Sequence, residues 1–205
     1  KGDATIFNYI AISISLLGFL VRFYTIGTTP KGTSGRNTKE QIADYLNSTG
    51  IYSTVRHPLY LGNYLIWIGI VIFTYNIYFI VIVSLLFWLY YERIMFAEER
   101  FLEKKFGEQY LKWSECIPAF VPSCKNYIKT KVPLSLKSIL RREYAGILAA
   151  VIGFAFMDVV RLFVHTDNLN ITPIVRDILI VTLVVVLVLR SLKHYTNILT
   201  EKDRS

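Results

Sequence analysis

Residues 59–91 read LYLGNYLIWIGIVIFTYNIYFIVIVSLLFWLYY, thirty-three consecutive positions without a charge. As one helix this run would be about 50 Å long at 1.5 Å per residue. A bilayer's hydrocarbon core is only about 30 Å thick and needs about 20 residues to cross. The run therefore predicts two apolar arms that turn near Tyr75-Asn76. Working outward, a third span is expected over Ile6–Ile26, with Arg22 late in it. Two more are expected over Tyr144–Phe163 and Pro173–Leu192. The fold class that follows is all-α: an integral membrane bundle of about five transmembrane helices.

Composition agrees with that reading. The 205 residues are 53% hydrophobic and 19% charged, with a mean hydropathy of +0.41 and a net charge of +8. A disordered chain has the opposite balance. Two cysteines, Cys116 and Cys124, make neither a disulfide framework nor a zinc cluster, so no metal is expected. The chain begins at Lys1, consistent with processing or truncation, and has no visible signal-peptide cleavage pattern.

Four Lys or Arg lie in 27–58, ten in 97–142 and four in 190–205, whereas the turn at Asn76 and the 164–172 loop have none. Five alternating spans place the three basic segments on one side, the cytoplasmic one by the positive-inside rule. The charge thus orients the protein and faces anionic lipid headgroups, the run Lys125, Lys129, Lys131, Lys137, Arg141, Arg142 included. No nucleic-acid-binding motif accompanies it.

Between the spans, 27–58 reads as a polar loop with a short helix near Thr38–Asn47. Residues 96–113 carry Phe96, Phe101, Leu102, Phe106, Tyr110 and Trp113 at helical spacing among charges. They predict an amphipathic helix that continues the third span and ends at Pro118 and Pro122. Residues 123–142 read as a basic connector.

Because a hairpin returns to the side it left, the polar groups before and after 59–91 should meet. These are Arg56-His57-Pro58 on one arm, and Glu92-Arg93 with Glu98-Glu99 on the other. Taken singly, each has a plain structural reading. Arg56 and His57 suit an interfacial anchor, Pro58 a helix start, and Glu98-Glu99 a solvated face pairing with Lys104 or Lys105. Arg22, Asp158 and Arg161 sit inside apolar segments and so are candidate functional groups, although Asp158 and Arg161 can simply pair at i,i+3.

The ordered set GIYSTVRHPLYLGN (50–63) and ERIMFAEERFLEKKFGEQYLKWSECIPAFVP (92–122) resembles the isoprenylcysteine carboxyl methyltransferase and phospholipid methyltransferase superfamily. The resemblance covers about Gly50 to Pro122: Arg56-His57-Pro58-x-Tyr60-x-Gly62, then Glu98-Glu99-x-x-Leu102, Phe106-Gly107-x-x-Tyr110, Pro118 and Pro122. It implies a methyltransferase-like core at 50–122 within a single membrane domain of 1–205, plus an additional transmembrane hairpin at 143–192. The implied donor is S-adenosylmethionine. The implied acceptor is membrane-embedded: a phospholipid, a lipid-linked phosphate or a prenylated cysteine carboxylate. His57, Tyr60, Gly62, Glu98, Glu99, Phe106 and Tyr110 would bind the cofactor, Gly62 by allowing close approach of cofactor or helix, and Gly107 would break the helix. Arg56 would grip an anionic acceptor, since a guanidinium binds carboxylate or phosphate bidentately. Glu98 would stand near the reacting atoms, as a base if the acceptor is an amine. The active site would face the cytoplasm of a bacterial inner membrane, or of the endoplasmic reticulum in a eukaryote. An NADPH-dependent membrane reductase with a similar RHPxYxG element and a non-enzymatic membrane partner are the alternatives.

Overall fold

The computed structural model describes residues 2–30, 32 and 43–201. Among the described residues there are six α-helices: α1 (Gly2–Thr28), α2 (Pro58–Ile72), α3 (Ile77–Phe106), α4 (Glu108–Cys116), α5 (Leu136–Thr166) and α6 (Pro173–Tyr195). Helices stand at all five expected positions. Three, α1 from Thr5 onward, α3 and α5, are long and apolar enough to cross a membrane; α2, at 15 residues, is shorter. It rises about 22 Å. Pro58 opens it at the first helical position, and a turn through Tyr75, whose φ is 57°, closes it. Asn76 then starts α3 by accepting the Phe79 amide at 3.1 Å.

The hairpin turn falls where the uncharged run predicts. The amphipathic stretch breaks at Gly107, as the resemblance implies, so it is two helices rather than one. α3 ends at Phe106, Gly107 adopts φ 52°, and α4 starts at Glu108. Only glycine holds that backbone without strain. The basic connector is also shorter than expected. Ser135 accepts the Ser138 amide at 3.0 Å, so α5 starts at Leu136 and makes Arg141, Arg142 and Glu143 helical. Of the helix expected at Thr38–Asn47, residues 38–42 lie outside those described, and 43–47 form bends rather than helix.

Leu16, Leu17 and Leu20 of α1, Leu85, Leu86 and Leu89 of α3, and Val181, Val184 and Val188 of α6 are exposed. Such outward apolar surface suits lipid. Inside, α1 and α2 meet over small residues. Ser15 donates to the Ile66 carbonyl at 2.9 Å, and Gly18 faces Gly62. A Cβ on Gly69 would sit 2.5 Å from the Ala11 carbonyl oxygen. Close backbone approach of this kind is how helices gain packing energy when no hydrophobic effect drives them together. Gly69→Ala is expected to cost about 1–3 kcal/mol as an overpacked contact, measurable as a lower midpoint in thermal unfolding in detergent.

The helices alternate in direction, which gives the bundle two polar ends. At one, Asp158 is fully buried and accepts from Arg161 (2.9 Å), the Thr172 amide (2.7 Å) and the Thr172 hydroxyl (3.0 Å). Arg161 reaches across to the Tyr75 hydroxyl (2.6 Å) and Asn8, tying α1, α5, α6 and the hairpin turn together. The expected Asp158–Arg161 pair thus forms and extends into a network. The candidate site lies at the other end.

Candidate functional site

Three short segments build this end. Residues 54–57 lie alongside 118–123: the Arg56 amide donates to the Pro118 carbonyl (2.9 Å), the His57 amide to Ala119 (3.2 Å), and the Ser123 amide to Thr54 (2.9 Å). Trp113 of α4 donates its indole N–H to the Tyr52 carbonyl at 3.2 Å. The prolines that end the expected amphipathic segment therefore clamp the basic segment against α3.

The clamp brings the two charged groups together. His57, only 5% exposed, hydrogen-bonds Glu99 through Nε2 at 2.8 Å, while its Nδ1 lies 3.7 Å from Glu98. Arg56 pairs with Glu99 at 3.2 Å, and its other contact is the Tyr110 hydroxyl at 3.5 Å. Tyr60 donates to Glu98 at 3.0 Å and stacks on the His57 ring. Neither glutamate makes the solvated lysine pair that its local sequence allows. Instead, α3 presents both to the neighbouring segment. Glu92 and Arg93 are exposed and lie outside the cluster.

Two hollows adjoin this cluster and share Tyr52, Arg56, His57 and Glu98 as a common wall. One is a narrow cleft between residues 45–47, α3 and α4, lined also by Glu99, Leu102, Tyr110 and Trp113. The other is a cavity of about 290 Å³ between α1, α2 and α5, lined by Arg22, Tyr60, Asn63, Trp67 and Arg142 among others. Burial holds the Tyr52 phenol well above its ordinary pKa, with the Glu98 carboxylate acting in the same direction. Tyr110 is pushed up to about 12, first by burial and then by Glu99. Both remain hydroxyl donors across the physiological range. Tyr110→Phe, which removes a hydroxyl between Arg56 and Glu99, is expected to weaken ligand binding in the cleft about three- to tenfold, as read by titration calorimetry with S-adenosylhomocysteine.

Six of the eight predicted residues converge on this cluster: Arg56, His57, Glu98, Glu99 and Tyr110 at the cleft, and Tyr60 on the cavity side, bonded to Glu98. Phe106 is set back, packed with Phe101 and Trp113 around the Leu102–Tyr110 contact, so it supports the cleft rather than lining it. Gly62 faces α1. A Cβ there would meet Arg22 Cγ at 2.5 Å and the Gly18 carbonyl at 2.9 Å, so of its two expected roles the close approach is to a helix, not a cofactor. Sequence reasoning missed Tyr52, Asn63 and Glu143, and assigned Arg142 to headgroups. Glu143 sits immediately after the basic run, and a lone carboxylate at the mouth of an apolar segment was the available signal.

The donor set suits S-adenosylmethionine. Arg56 Nε is buried and has no hydrogen-bond partner among the described residues, leaving a cationic donor for a carboxylate. Glu98 and Glu99, both lining the cleft, match an ammonium and ribose hydroxyls. Among the described residues, no group of three His, Cys, Asp or Glu could hold a metal ion.

A family model described as phospholipid methyltransferase matches residues 7–109. The match reaches back through α1 and stops short of α5 and α6. Curated relatives include a protein-S-isoprenylcysteine O-methyltransferase of Schizosaccharomyces pombe, 25% identical over 122 residues (57% of this chain, 52% of the relative). The protein of the same name from Tribolium castaneum is 27% identical over 119 residues (58% of this chain, 42% of the relative). A cobalt-zinc-cadmium resistance protein, CzcN, of Cupriavidus metallidurans is 29% identical over 129 residues (62% of this chain, 56% of the relative). The chain spans about half the length of the curated relatives it matches. No solved structure matches it.

Proposed function

The chain belongs to the phospholipid methyltransferase family, and from that premise we propose that it is an S-adenosylmethionine-dependent methyltransferase acting on a membrane-resident acceptor. The observation that carries this reading is the shared wall. Arg56, whose Nε has no partner among the described residues, and Glu98 stand between a cleft at the end of the bundle and a cavity inside it, with Glu99 on the cleft side. When bound, the donor supplies an electrophilic methyl group on a positively charged sulfur, which leaves as a neutral thioether.

The chain's own residues do the rest. His57 and Glu99 hold Arg56 in place, so its Nε is fixed for an oxyanion. Glu98, tethered by Tyr60, contributes negative charge beside the cationic donor. Tyr110, Leu102 and Trp113 close the cleft with apolar surface and exclude water. Methyl transfer is an in-line displacement, so alignment and fixed charge supply most of the acceleration. An apolar groove of about 440 Å³ between α1, α5 and α6 shares Phe19 and Ala150 with the cavity and suits the acceptor's hydrocarbon chain. With the basic segments in the cytoplasm, the cleft faces the soluble donor there. The family match favours this reading over a reductase.

The test is direct. S-adenosylmethionine or S-adenosylhomocysteine should raise the unfolding temperature of the purified protein, and NADPH should not. Radiolabelled donor added to membranes should then place label in a lipid or lipidated-protein fraction. Protection by NADPH alone overturns the proposal.

A further inference from the structure

The segment that clamps Arg56 and His57 carries no charge from Cys116 to Cys124. Its backbone serves the site: the Pro118 and Ala119 carbonyls accept the Arg56 and His57 amides, and the Ser123 amide returns to Thr54. Its one large aromatic side chain, Phe120, contacts both arms of the central hairpin. The ring meets Trp88 of α3 edge to face, with centroids 5.5 Å apart and planes at 89°, and Tyr64 of α2 at 5.9 Å and 69°. That geometry is a favoured one for aromatic pairs.

The depth of this notch places the segment against lipid. Trp88 lies four residues to the apolar side of Glu92, the first charge after the uncharged run. A side chain that reaches Trp88 therefore stands about 6 Å beyond the charged boundary, one helical turn. Val121, next along, is an apolar residue 74% exposed to its surroundings. Backbone against lipid must have its polar groups satisfied. Here Pro118 and Pro122 have no N–H, and the 118 and 119 carbonyls are already taken.

The notch also ends a run of rings. Tyr64 meets Phe87 (5.1 Å), Phe87 stacks on Tyr91 (4.0 Å), Tyr91 meets Tyr60 (5.2 Å), and Tyr60 stacks on His57 (5.6 Å). Phe120 thus connects to His57 by two routes, one through its own backbone and one through packed aromatic side chains.

We propose that residues 117–122 form a wedge seated in the acyl layer of the membrane, and that Phe120 is its positioning residue; the role in the donor cleft rests on the methyltransferase reading. Keyed into the Tyr64–Trp88 notch, the ring holds the 118 and 119 carbonyls in place, and these hold Arg56 and His57. Phe120 itself touches neither donor nor acceptor. The partner of this surface is the bilayer, so the cleft is complete only when the wedge is seated in lipid.

The experiment uses the full chain in phosphatidylcholine nanodiscs. Hydrogen exchange in peptides spanning 54–58 reports on the Arg56 and His57 amides directly, and titration with S-adenosylhomocysteine reports on the cleft. Phe120→Ala should speed exchange across 54–58 about three- to tenfold, the worth of the lost ring contacts, while α1, α3 and α5 stay protected. It should weaken S-adenosylhomocysteine by about the same factor. Phe120→Tyr keeps the ring and should stay within about twofold of the wild type. Trp88→Ala should reproduce Phe120→Ala, and the double variant F120A/W88A should do no more than either alone, because both break one contact. Val121→Glu removes little protein contact but puts a charge into the acyl layer, and should loosen 54–58 as Phe120→Ala does. Unchanged exchange at 54–58 in Phe120→Ala, additive effects of the notch variants, or Val121→Glu behaving as wild type overturns the proposal. So does a rise in exchange spread evenly over all helices, which marks a general stabiliser. A wild type that fails to bind S-adenosylhomocysteine sinks the methyltransferase reading instead, and the exchange measurement still decides the wedge.

Discussion

Arg56→Ala should lower methyl transfer by about two to three orders of magnitude while the helices stay assembled. The guanidinium pairs with Glu99, touches Tyr110 and keeps one nitrogen buried without a partner among the described residues. Truncating one partner of a desolvated, hydrogen-bonded charge pair costs about 2–5 kcal/mol, part of it from the charge left behind. At about 1.4 kcal/mol per factor of ten, that corresponds to roughly 30- to 4,000-fold in rate if it falls on the transition state. Arg56→Lys should recover only part, because an ammonium cannot span Glu99, Tyr110 and a ligand oxyanion in one plane. Turnover measured alongside the unfolding midpoint checks the result. Full methyl transfer by Arg56→Ala would remove the proposed centre even if the enzyme class stood.

The second large effect lies at the opposite end of the bundle and touches stability alone. Asp158→Ala removes a fully buried acceptor from the Arg161 guanidinium, the Thr172 amide and the Thr172 hydroxyl, with Tyr75 and Asn8 still accepting from Arg161. Breaking a buried pair on one side costs about 3–5 kcal/mol. Thermal unfolding in detergent should show that loss, with α5 and α6 separating first because Asp158 joins α5 to the start of α6. Turnover per folded molecule should not change, since neither the cleft nor the cavity contains these residues. Replacing Asp158 and Arg161 together by apolar residues should restore most of the midpoint. A drop in turnover without a drop in midpoint would show that the far network reaches the site.

These two variants separate what was legible beforehand from what was not. The wall of Arg56, His57, Glu98 and Glu99 was readable because a hairpin returns its ends to one side and the family resemblance supplied the residues. Arg22 was readable only as an oddity, a charge in an apolar segment, and nothing nearby named its partner. Arg142 sat at the end of what looked like a connector and Glu143 at the first position of the added hairpin, because the Ser135 cap that begins α5 early is a weak signal amid basic residues. Gly62 shows the same limit. A motif glycine says that something comes close, and only the packed helices say that the neighbour is Arg22.

The amino-acid order by itself determined the helices, their turns, their polar ends and the meeting of 56–58 with 98–99, since hydropathy, caps and proline act within a window of a few turns. Tertiary structure alone decided that Arg22 meets Glu143 across 121 residues and that α5 walls the cavity. Those contacts depend on how each helix is rotated about its axis, and that rotation is set by side-chain packing between helices far apart in the chain, not by any local signal.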